Sequence, residues 1–170
     1  MNKTYLAKFQ TKERSPKPPQ MQQVAFSALG GLLAITAVGK LTQLSQVPLL
    51  MAPFGATCVL AFGVPESPLA QPRNIIGGHF ISAFIGLLCL QLLGDGWFSM
   101  AVGVGLAIGA MQLTGTTHPP AGANPLLVIM TKAKWSFLFS PVLAGALVLV
   151  LVALLFNNAS KARRYPKYWL

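Results

Sequence analysis

Thr117-His118-Pro119-Pro120-Ala121-Gly122-Ala123-Asn124-Pro125 decides how this chain folds. Three prolines and a glycine fall between two apolar stretches of membrane-spanning character. Such a backbone cannot run through a bilayer as an ordinary helix. At membrane depth, irregular backbone survives only where protein buries it or where it lines a polar cavity. A cavity of that kind is where transporters keep their substrates.

The composition around this break is that of an integral membrane protein. Of 170 residues, 54% are hydrophobic and 9% are charged, against about 25% charged in soluble domains. The length suits one domain. The net charge of +10 maps to the ends of the chain. Lys3, Lys8, Lys12, Arg14 and Lys17 precede the first apolar run, and Lys161, Arg163, Arg164 and Lys167 follow the last. Basic residues flanking spans mark the cytoplasmic side. Residues 1–20 and 157–170 therefore read as cytoplasmic basic tails, at the inner or plasma membrane of the cell, with an even number of full crossings between them. Neither tail carries a folded readout module, so no nucleic-acid partner is expected. The first twenty residues lack an early apolar core, so no secretory signal is expected. Cys58 and Cys89 are far apart, in neither a metal spacing nor a disulfide framework, and read as buried small hydrophobes.

A helix needs about 20 residues to cross the hydrocarbon core. Four segments approach that length: about Val24 to Leu44, Asn74 to Leu93, Trp97 to about Thr114, and Phe137 to Phe156. Lys40 can snorkel near the end of the first, and Trp97, Trp135 and Trp169 suit the interfaces. Two shorter segments remain, Pro53 to Val64 and Pro120 to Met130. Each opens on a proline, favoured at the first helical position, and each covers about half a bilayer at 1.5 Å per residue. Both read as half-helices that dip in and return to the same side.

A shift of 67 positions lays Pro53-Phe54-Gly55-Ala56 on Pro120-Ala121-Gly122-Ala123, Leu60 on Leu127 and Gly78 on Gly145. The expected fold is an all-α membrane protein: four transmembrane helices plus two half-membrane, re-entrant helices, in two internal repeats (about 21–93 and about 94–156). Two full crossings per repeat would make the halves parallel. Three, with the short segments crossing fully, would make them inverted.

The start of each half-helix offers free N–H groups at the positive end of a dipole, which suits an anion. Gly55, Ala56 and Thr57 in one repeat, and Gly122, Ala123 and Asn124 in the other, are placed to present them, behind Pro53 and Pro119-Pro120. Thr57 and Asn124 align across the repeat and add side-chain hydrogen bonds. Close helix packing also uses such small residues. His118 can donate to an anion, titrate near neutral pH, or cap loop carbonyls, and a protonatable His118 or His79 could couple protons to anion movement. His79 either makes a structural hydrogen bond or touches the ligand. Arg73 either anchors its span at the interface or attracts anions to a pore mouth, with Glu66 a candidate partner across the turn. No carboxylate pair, nucleophile elbow, P-loop or metal cluster is visible, so neither catalysis nor a cofactor or metal is expected.

His118-Pro119-Pro120 within its longer stretch resembles the signature of the HPP family of integral membrane proteins. Pro53-Phe54-Gly55-Ala56 is similar to the family's other patterned region, as are Val64-Pro65-Glu66-Ser67-Pro68-Leu69-Ala70-Gln71-Pro72-Arg73-Asn74 and Gly77-Gly78-His79. The resemblance covers roughly residues 20 to 156, making 21–156 an HPP transmembrane domain. It implies four transmembrane helices. Members in cyanobacteria and chloroplasts are implicated in nitrite transport, so it also implies a small anion of that kind. Thr57-Cys58 departs from the Ser-Ala common there. The expected function is a transporter or channel for a small inorganic anion, nitrite first, in a lipid bilayer and as a homo-oligomer. The rivals are a membrane scaffold or assembly protein without a substrate, and an intramembrane enzyme.

Overall fold

The computed structural model describes residues 3–169, so residues 1–2 and 170 of the two tails lie outside the described residues. Seven α-helices with short 3-10 and π segments make up the fold, and no strand occurs among the described residues. Helix α1 (Lys3–Ala7) lies in the basic tail, and α2 (Met21–Ser45) follows. Helix α3 (Pro53–Cys58) continues through the wider turns of Val59–Gly63. Helix α4 (Pro72–Leu93) starts on its proline and stops at Gly94, where φ is +80° and only glycine is unstrained. Helix α5 (Trp97–Leu113) runs back. The 3-10 turns Pro119–Ala123 lead into α6 (Asn124–Met130). The last span, Trp135–Asn158, reaches α7 (Ala144–Asn158) only after a break at Ser140, which is extended because Pro141 follows it. The expected continuous span from Phe137 to Phe156 is therefore interrupted at Ser140.

Met21–Ser45, Pro72–Leu93 and Trp135–Asn158 are long and apolar enough to cross a membrane. The fourth expected span, α5, has 17 residues, about 25 Å. The core is the packed faces of these helices and of α3, with Phe54, Phe62, Ile75, Val142 and Leu149 all but inaccessible.

The chain visits the two ends of this bundle alternately. At the tail end, Gly63 to Glu66 line one pocket with Pro19, Gln23, Ser27 and Arg163. There also the Tyr165 hydroxyl donates to the Ala70 carbonyl at 2.8 Å, and Arg73 donates to the Thr114 carbonyl at 2.8 Å. At the far end Ser140 donates to the Pro48 carbonyl, and Lys132 pairs with Asp95 at 2.6 Å. Residues 46–63 therefore pass from far end to tail end, and residues 114–130 pass the other way. The expected re-entrant helices, returning to their side of entry, are corrected to full passes. Each has an extended first part and a helical second part. Between left-handed Gln46 and helical Ala52, residues 47–51 can reach about 17 Å when extended, which added to the helical turns of residues 53–63 matches a hydrocarbon core of about 30 Å. Counting helical rise alone missed that reach.

Three passes per repeat make the halves inverted, the second of the two arrangements the sequence left open. Packing repeats with the same spacing. A β-carbon on Gly78 of α4 would sit 2.9 Å from the Thr116 carbonyl oxygen and 2.7 Å from the His118 β-carbon. One on Gly145 of α7 would overlap the Leu49 carbonyl oxygen and the Phe54 ring. Gly78 and Gly145 are 67 apart, as are Leu49 and Thr116. In each half, a helix glycine lets the extended lead-in of the other half cross at backbone contact.

Arg163 closes the tail end. It donates to the Phe62 carbonyl at 2.8 Å and to Asn157 Oδ1 and Ser27 Oγ at 3.0 Å, and lies 4.6 Å from the centre of the Phe26 ring. Burial lowers its pKa, yet a guanidinium keeps its proton in proteins. Arg163→Ala should cost about 1–2 kcal/mol in a thermal or denaturant melt. Arg163→Lys should recover less than half, because one ammonium cannot reach partners on three elements. Full recovery by lysine would show that only the charge matters.

Candidate functional site

Four of the residues singled out from sequence meet in one buried cluster. Thr57 lies in the first turns of α3, His79 two turns into α4, His118 just before Pro119, and Asn124 at the start of α6. All four side chains are inaccessible. Thr57 Oγ1 lies 2.8 Å from His79 Nε2 and 3.0 Å from His118 Nε2. His118 Nδ1 lies 2.8 Å from the Leu69 carbonyl oxygen. His79 Nδ1 lies 3.1 Å from Asn124 Nδ2 and 3.3 Å from Asn124 Oδ1, and Asn124 Nδ2 donates to the His79 carbonyl at 2.9 Å.

The carbonyl of Leu69 fixes the protons along this chain. A carbonyl only accepts, so His118 carries its proton on Nδ1, and its Nε2 accepts. The Thr57 hydroxyl therefore donates to His118. Its oxygen then accepts from His79, whose proton is on Nε2. The bare Nδ1 of His79 accepts from the Asn124 amide. The tautomers are assigned from the network, and with both rings neutral each nitrogen is satisfied. Thr57 Oγ1 is also 3.3 Å from the Pro53 carbonyl, a longer contact that would leave His118 Nε2 bare.

Residues not singled out from sequence complete the support. Ser82, one turn beyond His79 on the same face of α4, donates to the Ala121 carbonyl at 2.6 Å. That i, i+3 spacing was legible. The edge-on Phe54 ring, 5.2 Å from His79, is a tertiary contact. The Leu69 carbonyl is backbone, on which sequence is silent.

Arg73 is not part of the cluster. It and Asn74 hold the lead-in of the second half, through the carbonyls of Thr114 and Thr117 at 2.8 and 3.0 Å. Glu66 pairs with Lys167 at 2.8 Å, not with Arg73, and this contact lowers the Glu66 pKa.

The small residues face a different space. An open cleft of about 730 Å³ separates α3 from the Pro119–Met130 segment. Its walls are Pro53, Ala56 and Val59 on one side and Pro119, Pro120 and Ala123 on the other, with Leu126 and Met130 beyond. Gly55 and Gly122 adjoin open space, where an added β-carbon would meet nothing within 4 Å. Two expectations fail here. The N–H of Gly55, read as free for an anion, is taken by the Ala52 carbonyl at 3.1 Å, because a 3-10 turn leads into α3. The N–H of Asn124, also read as free, is taken by the Ala121 carbonyl. The cleft wall is apolar, and the polar cluster lies one residue behind it at Thr57, His118 and Asn124. Among the described residues no group of three or more His, Cys, Asp or Glu is placed to hold a metal, and Cys58 and Cys89 are buried and unpaired.

One family matches most of the chain. The transmembrane region of the HPP family matches residues 16–166. A transmembrane protein of Dictyostelium discoideum is 38% identical over 170 aligned positions, covering 93% of this chain and 60% of that protein. A second transmembrane protein of the same organism is 34% identical over 177 positions, covering 97% of this chain and 57% of that protein. The chain thus spans well under two thirds of the length of these relatives. No solved structure matches it.

Proposed function

The chain belongs to the HPP transmembrane family, and on that premise we propose that it moves a small inorganic anion across a membrane, nitrite first among candidates. The observation that carries this reading is the convergence of two broken passes, from inverted halves, beside a cleft open between them. Broken helices from inverted repeats are the usual frame of a transporter site. The helical parts of both passes start near the cluster, so their positive ends favour an anion there. Pro53, Ala56, Pro119, Pro120 and Ala123 then form the pathway wall, Gly55 and Gly122 leave room, and Thr57, His79, His118 and Asn124 supply polarity behind it. Arg73 holds the second lead-in at the tail end. Both tails are cytoplasmic on this reading, at the inner or plasma membrane. The protein works as a homo-oligomer that covers the cleft's open side, needs no cofactor and performs no catalysis.

One observation favours a second reading. The cleft wall is apolar and the polar cluster satisfies itself, which suits a scaffold that docks a partner helix.

The deciding experiment is uptake into proteoliposomes holding only this purified chain, with nitrite, nitrate, formate and chloride in parallel and empty liposomes subtracted. Nitrite uptake above the others supports the transport reading and its substrate. Equal uptake of all four retains transport and removes the selectivity. No uptake, from protein shown to be folded, leaves the scaffold.

A further inference from the structure

We infer that the buried chain Asn124–His79–Thr57–His118–Leu69 is a binding site for one proton, and that the proton comes to rest on His118, directly behind the cleft wall. The inference deepens the transport reading of the preceding subsection, and its coupling consequence rests on that reading.

In the neutral chain every donor points one way, from Asn124 through His79 and Thr57 to His118 and the Leu69 carbonyl. One acceptor is then left over, Asn124 Oδ1, 3.3 Å from His79 Nδ1 and already within reach of it. Add one proton at His79 Nδ1, and Asn124 Oδ1 accepts it while Asn124 Nδ2 keeps its bond to the His79 carbonyl. The Nε2 proton of His79 passes to Thr57 Oγ1, and the hydroxyl proton of Thr57 passes to His118 Nε2. His118 becomes an imidazolium, still donating from Nδ1 to Leu69. One proton has entered and one positive charge has appeared; the Asn124 Nδ2–H bond to His79 Nδ1 is exchanged for the Nδ1–H bond to Asn124 Oδ1, and the two Thr57 bonds are reversed. The heavy-atom contacts for both states already exist, so the exchange needs no rearrangement of the backbone.

Thr57 is the hinge of this device. A hydroxyl can accept on one side and donate on the other, and then reverse both. Thr57 is hydrogen-bonded to both rings, whose centres are 5.0 Å apart.

Among the described residues, no charged side chain is hydrogen-bonded to either ring. Of the groups packed around the rings, α3 offers Thr57, the Phe54 ring and Cys58, whose side faces α2 and lines a separate cleft with Gly31. Helix α4 adds Ser82, spent on the Ala121 carbonyl, and Arg73, spent on Thr114. Helix α5 brings the Met111 thioether near Gly78. Helix α6 brings Asn124, and α7 brings Gly145 against Phe54. The ion pairs Asp95–Lys132 and Glu66–Lys167 lie at the bundle ends.

The charge has a consequence for the cleft. An anion in an apolar cleft has no countercharge, and a buried unpaired charge is costly. A cation on His118, adjacent in sequence to the wall residue Pro119, supplies one. Anion and proton then travel together, one for one.

The test is histidine nitrogen NMR on the full chain in lipid nanodiscs, wild type beside Thr57→Val. At neutral pH one ring should carry its proton on Nδ1 and the other on Nε2. On acidification the wild type should take up a single proton per chain, held on the Nδ1–H ring. In Thr57→Val the proton should stay on the other ring. Matching tautomers in the wild type, two protons per chain, or an unchanged titration in Thr57→Val would overturn the site. Coupling is read separately, with nitrate as the probe anion and a pH dye inside proteoliposomes. One proton entering per nitrate, with uptake insensitive to membrane potential, supports the coupling. Nitrate uptake without protons overturns it. No uptake of any anion defeats the transport reading, while the NMR result still judges the proton site.

Discussion

Gly145→Ala should strip the bundle of a large part of its stability, while Gly55→Ala and Gly122→Ala should leave it intact or improve it. An alanine inside a helix is ordinarily better than glycine by about 1 kcal/mol. At Gly145 the added carbon meets the Leu49 carbonyl oxygen and the Phe54 ring. The carbonyl is backbone and cannot rotate aside, so α7 or the lead-in must move. Forced overpacking costs about 1–3 kcal/mol and sometimes more, and a backbone obstacle puts Gly145→Ala near the upper figure. Gly78→Ala meets the Thr116 carbonyl and the His118 β-carbon in the same way, so it should fall by a similar amount. The check is a thermal melt of the purified full chain for all four variants. Equal melting points for Gly145→Ala and wild type would mean that the crossing of α7 over the first lead-in is looser than described, and with it the inverted pairing.

Asn124→Leu should reduce anion uptake at least tenfold. Leucine matches asparagine in size and removes both amide donors. The His79 Nδ1 is then buried with no partner, a penalty of about 1–3 kcal/mol, and the positive start of α6 loses its polar side chain. Uptake can also fall because less protein folds. Arg163→Ala provides the comparison, since it loses a similar amount of stability at the tail end, away from the cluster. Measured per folded molecule in proteoliposomes, Arg163→Ala should transport as wild type does and Asn124→Leu should not. Equal uptake by the two variants would remove Asn124 from the pathway.

Much of the site was legible one residue at a time. Thr57, His79, His118 and Asn124 are polar side chains in apolar surroundings, and a polar residue in such a place either faces the protein interior or is paired. Their meeting was not legible, because the bonds joining them span 22, 45 and 61 residues. Gly55 shows the opposite error. Its position at a helix start implied a free N–H, but the turn that precedes α3 consumes it. Arg73 and Glu66 sit close in sequence across one turn, yet each binds a distant partner, Thr114 and Lys167.

Composition and local pattern are enough to establish an all-helical membrane protein, to locate its long helices, and to show that two proline-led segments break the pattern in matching positions. These properties follow from local physics: the apolar length needed to enter a bilayer, the donor that proline lacks, and the spacing of one repeat on another. It took the assembled fold to show that the broken segments pass through the bundle and do not turn back, and that their starts share one directional chain of hydrogen bonds. A helix's rise is encoded in its residues. How far an extended lead-in reaches, and which carbonyl a histidine faces, depend on backbone brought close from elsewhere, here through Gly78 and Gly145.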